Sequence, residues 1–199
     1  MRNFFLYLFD NSFNACKRHK ALTITLIVCV IVGIILGIVG GVQINNSMFP
    51  LDFSNVAYVK FLQNKLGFAG FLFTELFTLL IFILIIILSG INVWFIGIGI
   101  LFFMYFVYAQ TVTIISITMD FGFFNTIILL IFLVVISFCY FYLFVLAILQ
   151  IFDCCGMHNY FFGCLKILLP IFLAFTIVVL CNVIFMMTLK NFVFVLVYK

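Results

Sequence analysis

Residues 17–42, which read KRHKALTITLIVCVIVGIILGIVGGV, give the clearest indication of the fold. No charged residue occurs from Ala21 to Val42, after the cluster of Lys17, Arg18, His19 and Lys20. A helix of about 22 residues rises ~33 Å, which is enough to cross a bilayer core of ~30 Å. Because basic residues beside a span favour the cytoplasmic side, the stretch predicts a transmembrane helix that follows a cytoplasmic N-terminus.

The composition of the whole chain agrees with a membrane protein. Of its 199 residues, 69% are hydrophobic and 7% are charged, and the formal net charge is +4. About a quarter of an ordinary soluble domain is charged, and a small soluble domain cannot bury this much apolar surface. The composition therefore excludes a soluble enzyme, a nucleic-acid-binding domain and a disordered region. The expected partner is the lipid bilayer, with no nucleic acid.

Four more apolar stretches are long enough to span a bilayer. Since lipid tolerates no unpaired backbone groups, each must be helical. The sequence thus predicts an all-α, polytopic transmembrane helical bundle that forms one integral membrane domain over residues 1–199 of a multi-pass cell-membrane protein. Its five expected spans are about 21–42, 67–88, 93–119, 123–149 and 167–189.

Two further segments have the pattern of short amphipathic surface helices. In residues 1–16, phenylalanine and leucine recur at helical spacing, which is typical of a helix lying on the membrane. Residues 43–66 form the longest polar stretch of the chain, and Pro50 within it stops any continuation of the first span. We expect 43–66 to be an outer amphipathic segment that rests on the bilayer.

The first span carries three glycines at intervals of four residues, Gly33, Gly37 and Gly41. Glycines at this spacing form a smooth strip on one helix face, which lets a second helix approach closely. We therefore predict that the strip packs against a helix. The spacing leaves open whether that helix belongs to this chain or to another one.

Polar residues inside the predicted spans are candidates for a functional site. Glu75 lies about two turns into the second span, where a carboxylate is costly and usually faces protein or water. Glu75 therefore has two interpretations. It forms a site for an ion or a proton, or it lies near the outer headgroups. The outer end of the third span carries three more polar residues, Gln110, Thr113 and Ser116. They either form part of a substrate path or make hydrogen bonds between helices.

The sequence gives no reason to expect catalysis, a metal or a cofactor. Cys154, Cys155, His158 and Cys164 are soft ligands close together, but their spacing matches no usual zinc site. The chain also lacks the His-Glu-x-x-His and Gly-x-Ser-x-Gly motifs and the phosphate-binding loop. We therefore expect a protein that is not an enzyme.

The layout of the chain resembles the stage II sporulation protein M family. The matching features are the basic residues 17–20, a first span with Gly33 and Gly37, the outer segment, and turns at Gly90 and Gly122. The resemblance implies a membrane scaffold that gathers cell-wall-degrading enzymes. The fourth span departs from the family, because residues 123–149 contain no Pro, His, Gly or Glu, so no functional residue is carried over.

Two functions follow from these features. The first is a non-enzymatic scaffold or assembly factor that recruits cell-wall-remodelling proteins, other envelope proteins or further copies of itself. The scaffold is based on the bare apolar spans, the glycine strip and the outer segment, and its cell-wall-remodelling partners are what the resemblance implies. The second is the membrane subunit of a transporter, permease-like or solute-binding, and it is based on Glu75, Gln110, Thr113 and Ser116.

Overall fold

The computed structural model of the chain describes residues 10, 13–46, 53–62, 65–92, 95–154 and 160–197. Most of the predicted surface helix at 1–16 lies outside these ranges, although residues 13–18 are helical and lead into the first long helix. The helices that follow are named here in chain order: α1 Lys20–Asn46, α2 Phe53–Leu62, α3 Phe68–Ser89, α4 Ile96–Phe121, α5 Phe123–Cys154 and α6 Tyr160–Val197.

Five helices of the described ranges are long and apolar enough to cross a membrane, which confirms the predicted all-α bundle of five spans. Their hydroxyl groups are satisfied locally, because threonine side chains donate to the carbonyl four residues earlier in the same helix. Such bonds are made by Thr74, Thr78, Thr111, Thr113, Thr118 and Thr176, and Thr126 donates in the same way to Gly122, just before α5. The spanning segments are Lys20–Gln43, Phe68–Ser89, Ile96–Phe121, Thr126–Asp153 and Leu168–Lys190.

Tight connections at two glycines make neighbouring spans antiparallel. Gly90 ends α3, and its backbone N–H reaches the last carbonyls of that helix. Gly122 ends α4 with a φ of 81°, a left-handed value that glycine adopts without steric cost. Because α5 begins at Phe123, this single residue reverses the direction of the chain.

Helix α4 is the centre of the bundle and packs against α1, α2, α3 and α5. Helix α6 closes the other side through contacts with α5 and α3. Aromatic rings fill the place where α3, α4 and α5 meet: the ring of Phe82 lies edge-on to Phe106 at 4.4 Å, and Phe103 stacks on Phe144 at 4.9 Å. Such pairs add about 0.5–1.5 kcal/mol beyond their buried area.

The glycine strip of α1 packs against α4 of the same chain. Gly33 faces Val107, Gly37 faces Thr111, and Gly41 faces Ile115. Because both sets of residue numbers increase together, α1 and α4 run parallel. A methyl group built on Gly37 would lie 2.5 Å from Thr111 Cβ and 3.0 Å from the Tyr108 carbonyl oxygen, so only glycine permits this approach.

Helix α2 lies within the bundle, whereas we expected residues 43–66 to rest on the membrane. Tyr58, Phe61 and Leu62 are buried, and α2 contacts α3, α4 and α6. The Phe61 ring stacks on Phe71 at 4.5 Å, and Lys190 Nζ lies 4.2 Å from the centroid of the same Phe61 ring. Because large aromatic side chains pack against one another, these contacts hold α2 against the helices of the bundle.

Charged groups join the start of α1 to the end of α5. Arg18 Nη1 forms an ion pair with Asp153 Oδ2 at 3.2 Å, and the other carboxylate oxygen of Asp153 lies 2.5 Å from His19 Nε2. Two residues of the basic cluster that predicted the orientation of the first span therefore also hold α1 against its own bundle.

Candidate intramembrane binding site

Glu75 lies inside the bundle, seven residues after the start of α3, or about 10 Å along the helix axis. It bonds to residues of two other helices. Asn182 of α6 donates its Nδ2 hydrogens to Glu75 Oε2 at 3.2 Å and to the Tyr58 hydroxyl oxygen at 2.5 Å. The Tyr58 hydroxyl in turn hydrogen-bonds with the Glu75 carboxylate. Three helices thus meet at one carboxylate.

Tyr58 is the hydrogen-bond donor in its contact with Glu75. Burial, with a further contribution from the negative charge of Glu75, raises the pKa of the Tyr58 hydroxyl well above its ordinary value. The phenol therefore keeps its proton at neutral pH and can donate it to the carboxylate oxygen.

No cationic side chain pairs with Glu75 in the part of the chain that the structure describes. The Arg18–Asp153 ion pair found there lies at the other end of α5 from the turn at Gly122. The partners of Glu75 are an amide and a phenol, which are neutral. Carboxylates within membrane proteins are usually paired or face a water-filled cavity.

The polar cluster also contains a buried atom without a hydrogen-bond partner among the described residues, Asn182 Oδ1. The Tyr140 hydroxyl of α5 interacts with the side chain of Asn182, so both residues belong to the neighbourhood of Glu75. A buried polar atom that bonds to nothing costs free energy, and such atoms mark places where water or a ligand binds.

Glu75 lines a cavity of about 310 Å³ between α3, α4, α5 and α6. Half of the lining residues are aromatic, and the polar groups are few. The walls are formed by Tyr58, Thr74, Glu75, Phe77, Thr78, Leu79, Ile81, Phe82, Phe102, Tyr105, Phe106, Ala109, Gln110, Tyr140, Phe175 and Val179. An apolar cavity with a small number of convergent polar groups is the usual form of a small-molecule site.

Two residues of the cavity wall, Phe77 of α3 and Tyr105 of α4, each have about half of their surface exposed. Both lie within spanning segments. The wall between α3 and α4 is therefore the side on which the cavity is least enclosed by protein.

The four predicted polar residues do not all reach this cavity. Glu75 and Gln110 line it, and Gln110 Oε1 accepts a hydrogen bond from Ser137 of α5 at 3.4 Å. Thr113 is buried, does not line the cavity, and donates to the Ala109 carbonyl oxygen of its own helix. Ser116 is half-buried and also lies outside the cavity wall.

Three residues of the cluster were not predicted from the sequence: Tyr58, Tyr140 and Asn182. For Asn182 a signal exists, since it is an asparagine within an apolar span. Tyr140 lies in an aromatic stretch with Phe138, Phe141, Tyr142 and Phe144, and nothing in the sequence distinguishes its hydroxyl group from that of Tyr142. Tyr58 lies in the segment expected on the membrane surface, where a tyrosine is common.

The structure does not describe the side chains of the four soft ligands considered in the sequence, Cys154, Cys155, His158 and Cys164. Within the described ranges, no group of three or more His, Cys, Asp or Glu residues could hold a metal ion. Glu75 is accordingly a lone carboxylate among neutral groups.

Comparison of the chain with protein-family models, with curated proteins and with solved structures finds no match. The resemblance to the stage II sporulation protein M family therefore stays a prediction.

Proposed function

We propose that this chain is a non-enzymatic membrane protein that binds a small solute in the Glu75 cavity, as a transporter or the membrane subunit of one. One observation carries the proposal: a carboxylate without an ionic partner among the described residues faces a cavity inside a bundle of spanning helices. The proposed location is the cell membrane.

The energetic cost of a carboxylate inside a membrane bundle supports a functional role for Glu75. An ionisable residue within a membrane helix is expensive and usually belongs to a substrate or ion pathway. A purely structural role would be served as well by glutamine, which can accept the same two hydrogen bonds from Asn182 and Tyr58 without a charge. The cavity beside it adds the space that a solute needs.

The test is a binding screen with the purified full-length chain in lipid nanodiscs. The panel contains compounds of fewer than about 20 non-hydrogen atoms in four classes: cationic, anionic, zwitterionic and neutral. We expect one class to raise the thermal unfolding temperature of the wild-type protein and to lose this effect in Glu75→Gln. Asp120→Asn is the matched control, because Asp120 is exposed and lies outside the cavity wall.

A positive class is then offered to proteoliposomes that contain the wild-type chain or Glu75→Gln. Uptake that depends on Glu75 supports a transporter complete in one chain, and binding without uptake supports a subunit that needs a partner. If no class stabilises the wild-type protein, or if every stabilising class acts equally on Glu75→Gln, the proposal is wrong.

A scaffold in the envelope is the second proposal, and the position of α1 favours it. This helix lies at the edge of the bundle and turns large apolar side chains outward, among them Ile24, Ile27 and Ile31. A helix of another envelope protein, or of a second copy, could pack there. The glycine strip no longer contributes, because α4 of the same chain covers it.

A photo-crosslinking residue at Ile31, with Leu101 of α4 as the comparison site, tests the scaffold. Both side chains are exposed within spanning segments. A discrete cell-wall-remodelling protein captured only from position 31 supports the scaffold, whereas lipid adducts alone from both positions contradict it.

A further inference from the structure

Building on the proposed function, we propose that the cavity takes a small lipophilic organic ammonium ion. Its charged nitrogen binds Glu75, and its apolar body lies among the aromatic side chains of α3, α4 and α5. The ion enters from the bilayer, between Phe77 and Tyr105.

Charge is the first reason for a cation. Glu75 has two carboxylate oxygens with about four acceptor positions, and Asn182 and Tyr58 occupy only part of this capacity. The other titratable side chains facing it are the phenols of Tyr58 and Tyr140, which supply no positive charge. An anion would meet the carboxylate without compensation, whereas an ammonium group completes the pair.

The aromatic wall is the second reason. Phe82, Phe102 and Phe106 line the cavity together with Tyr105 and Tyr140. Aromatic faces attract a cation within about 6 Å of the ring centroid, and desolvation strengthens that attraction. The same rings provide an apolar surface for the carbon skeleton of the ligand.

The small number of oxygen ligands in the cavity favours an organic cation over a divalent metal. Calcium binds six to eight oxygen ligands and magnesium six. Glu75 is the one carboxylate in the cavity wall, and no group of three acidic, histidine or cysteine side chains occurs in the described ranges. An ammonium ion needs fewer acceptors, because its carbon skeleton satisfies the rest of the site by apolar contact.

Size and access specify the ligand further. A volume of about 310 Å³ is at the lower end of ordinary ligand pockets, which measure ~300–1,000 Å³. It suits a single-ring amine and is too small for a complete phospholipid. An entrance between α3 and α4, where Phe77 and Tyr105 are exposed, suits a ligand that partitions into the bilayer before it binds.

The test uses 2-phenylethylamine and its uncharged counterpart 2-phenylethanol, which has the same number of non-hydrogen atoms. Binding to the full-length chain is measured by equilibrium dialysis of nanodiscs made of phosphatidylcholine. We expect saturable binding of the amine and at least tenfold weaker binding of the alcohol. Glu75→Gln should weaken amine binding about 30-fold or more, as expected when one partner of a buried charge pair is removed.

Two further variants separate loss of binding from loss of folding. Asp120→Asn removes a carboxylate at an exposed position and should leave the amine affinity unchanged. Ala109→Phe fills the cavity but leaves Glu75 intact, and it should also abolish amine binding. Equal affinity for amine and alcohol overturns the proposal, and so does unchanged amine binding in both Glu75→Gln and Ala109→Phe.

A second lipid composition distinguishes a free amine from the ammonium of a lipid headgroup. If phosphatidylethanolamine in the nanodisc leaves the affinity for 2-phenylethylamine unchanged, the site prefers the free amine. If it displaces the amine from wild type, the headgroup is the occupant of the same ammonium site.

The earlier panel separates failure of the ammonium proposal from failure of the proposed function. If an anionic or neutral class binds through Glu75 instead, the ammonium proposal fails and the solute-binding function stands. If no class binds, both fail.

Discussion

At the scale of single residues, Asn182 holds the candidate site together. Its one amide nitrogen has two hydrogens, and these bond to Glu75 of α3 and to Tyr58 of α2. The residue is fully buried and lies 124 positions from Tyr58 in the chain. One side chain therefore fixes the relative position of three helices.

We expect Asn182→Leu to lower the free energy of unfolding by about 1–2 kcal/mol, because interhelical hydrogen bonds in membranes contribute up to about this much. The side chains are similar in size, so the main loss is the two bonds. Thermal or denaturant unfolding in detergent measures the change.

Thr176→Val is the matched control on the same helix. Thr176 donates only to the Phe172 carbonyl oxygen of α6 itself, and such local bonds add little stability. Equal stability of Asn182→Leu and Thr176→Val would contradict the role given to Asn182.

At the scale of elements, the contact between α1 and α4 depends on glycine. Side chains of α4 fill the space that a Cβ would occupy at Gly33, Gly37 and Gly41. Close approach of helices through small residues is the main source of packing energy in a membrane, where the hydrophobic effect is absent. The α1–α4 contact is the most extensive between two helices in the described chain.

Gly37→Ala should lower the free energy of unfolding by about 1–3 kcal/mol, the usual cost of overpacking. The new methyl group would meet Thr111 Cβ at 2.5 Å, and neither helix can yield without losing the neighbouring contacts. Unfolding curves in detergent report the loss.

Gly97→Ala provides the comparison, because no atom lies within 4 Å of a Cβ built on Gly97. It should be neutral, or stabilising by up to about 1 kcal/mol through helix propensity. If the two alanine variants shift the unfolding temperature in the same direction and by the same amount, the α1–α4 contact is not glycine-dependent.

At the scale of the whole molecule, the number of spans between two positions determines whether they lie on the same side of the membrane. Lys17 precedes α1, whereas Asp120 lies at the end of α4. The spanning helices α1, α3 and α4 lie between them, so the two residues are on opposite sides of the membrane. The basic cluster 17–20 predicts that Lys17 is cytoplasmic.

Single cysteines at exposed positions 17 and 120 of a cysteine-free background test this topology. An impermeant maleimide should label Asp120→Cys in intact cells and should label Lys17→Cys only after permeabilisation. The opposite result would invert the orientation, and labelling of both from one side would contradict the arrangement of five spans.

The sequence predicted the fold more fully than the site, for a physical reason. A span is determined by the apolar character of consecutive residues, so five runs of such residues predict five helices. The cluster around Glu75 is determined by contacts between distant segments, as between Tyr58 and Asn182, and nothing local in either segment indicates the other. Gln110 was predicted with Thr113 and Ser116 because all are polar, yet the threonine bonds to its own helix and only Gln110 reaches the cavity.

The parallel pairing of α1 with α4 has a consequence for biosynthesis. Gly33 contacts Val107, so the partner of the first span is synthesised about 70 residues later. At ~5–20 residues per second, α1 enters the membrane several seconds before α4 exists. During that interval its glycine strip is available to lipid, to the insertion machinery or to a nascent neighbour. Slow translation between the first and third spans would prolong this exposure, so the yield of correctly folded chain should depend on elongation rate.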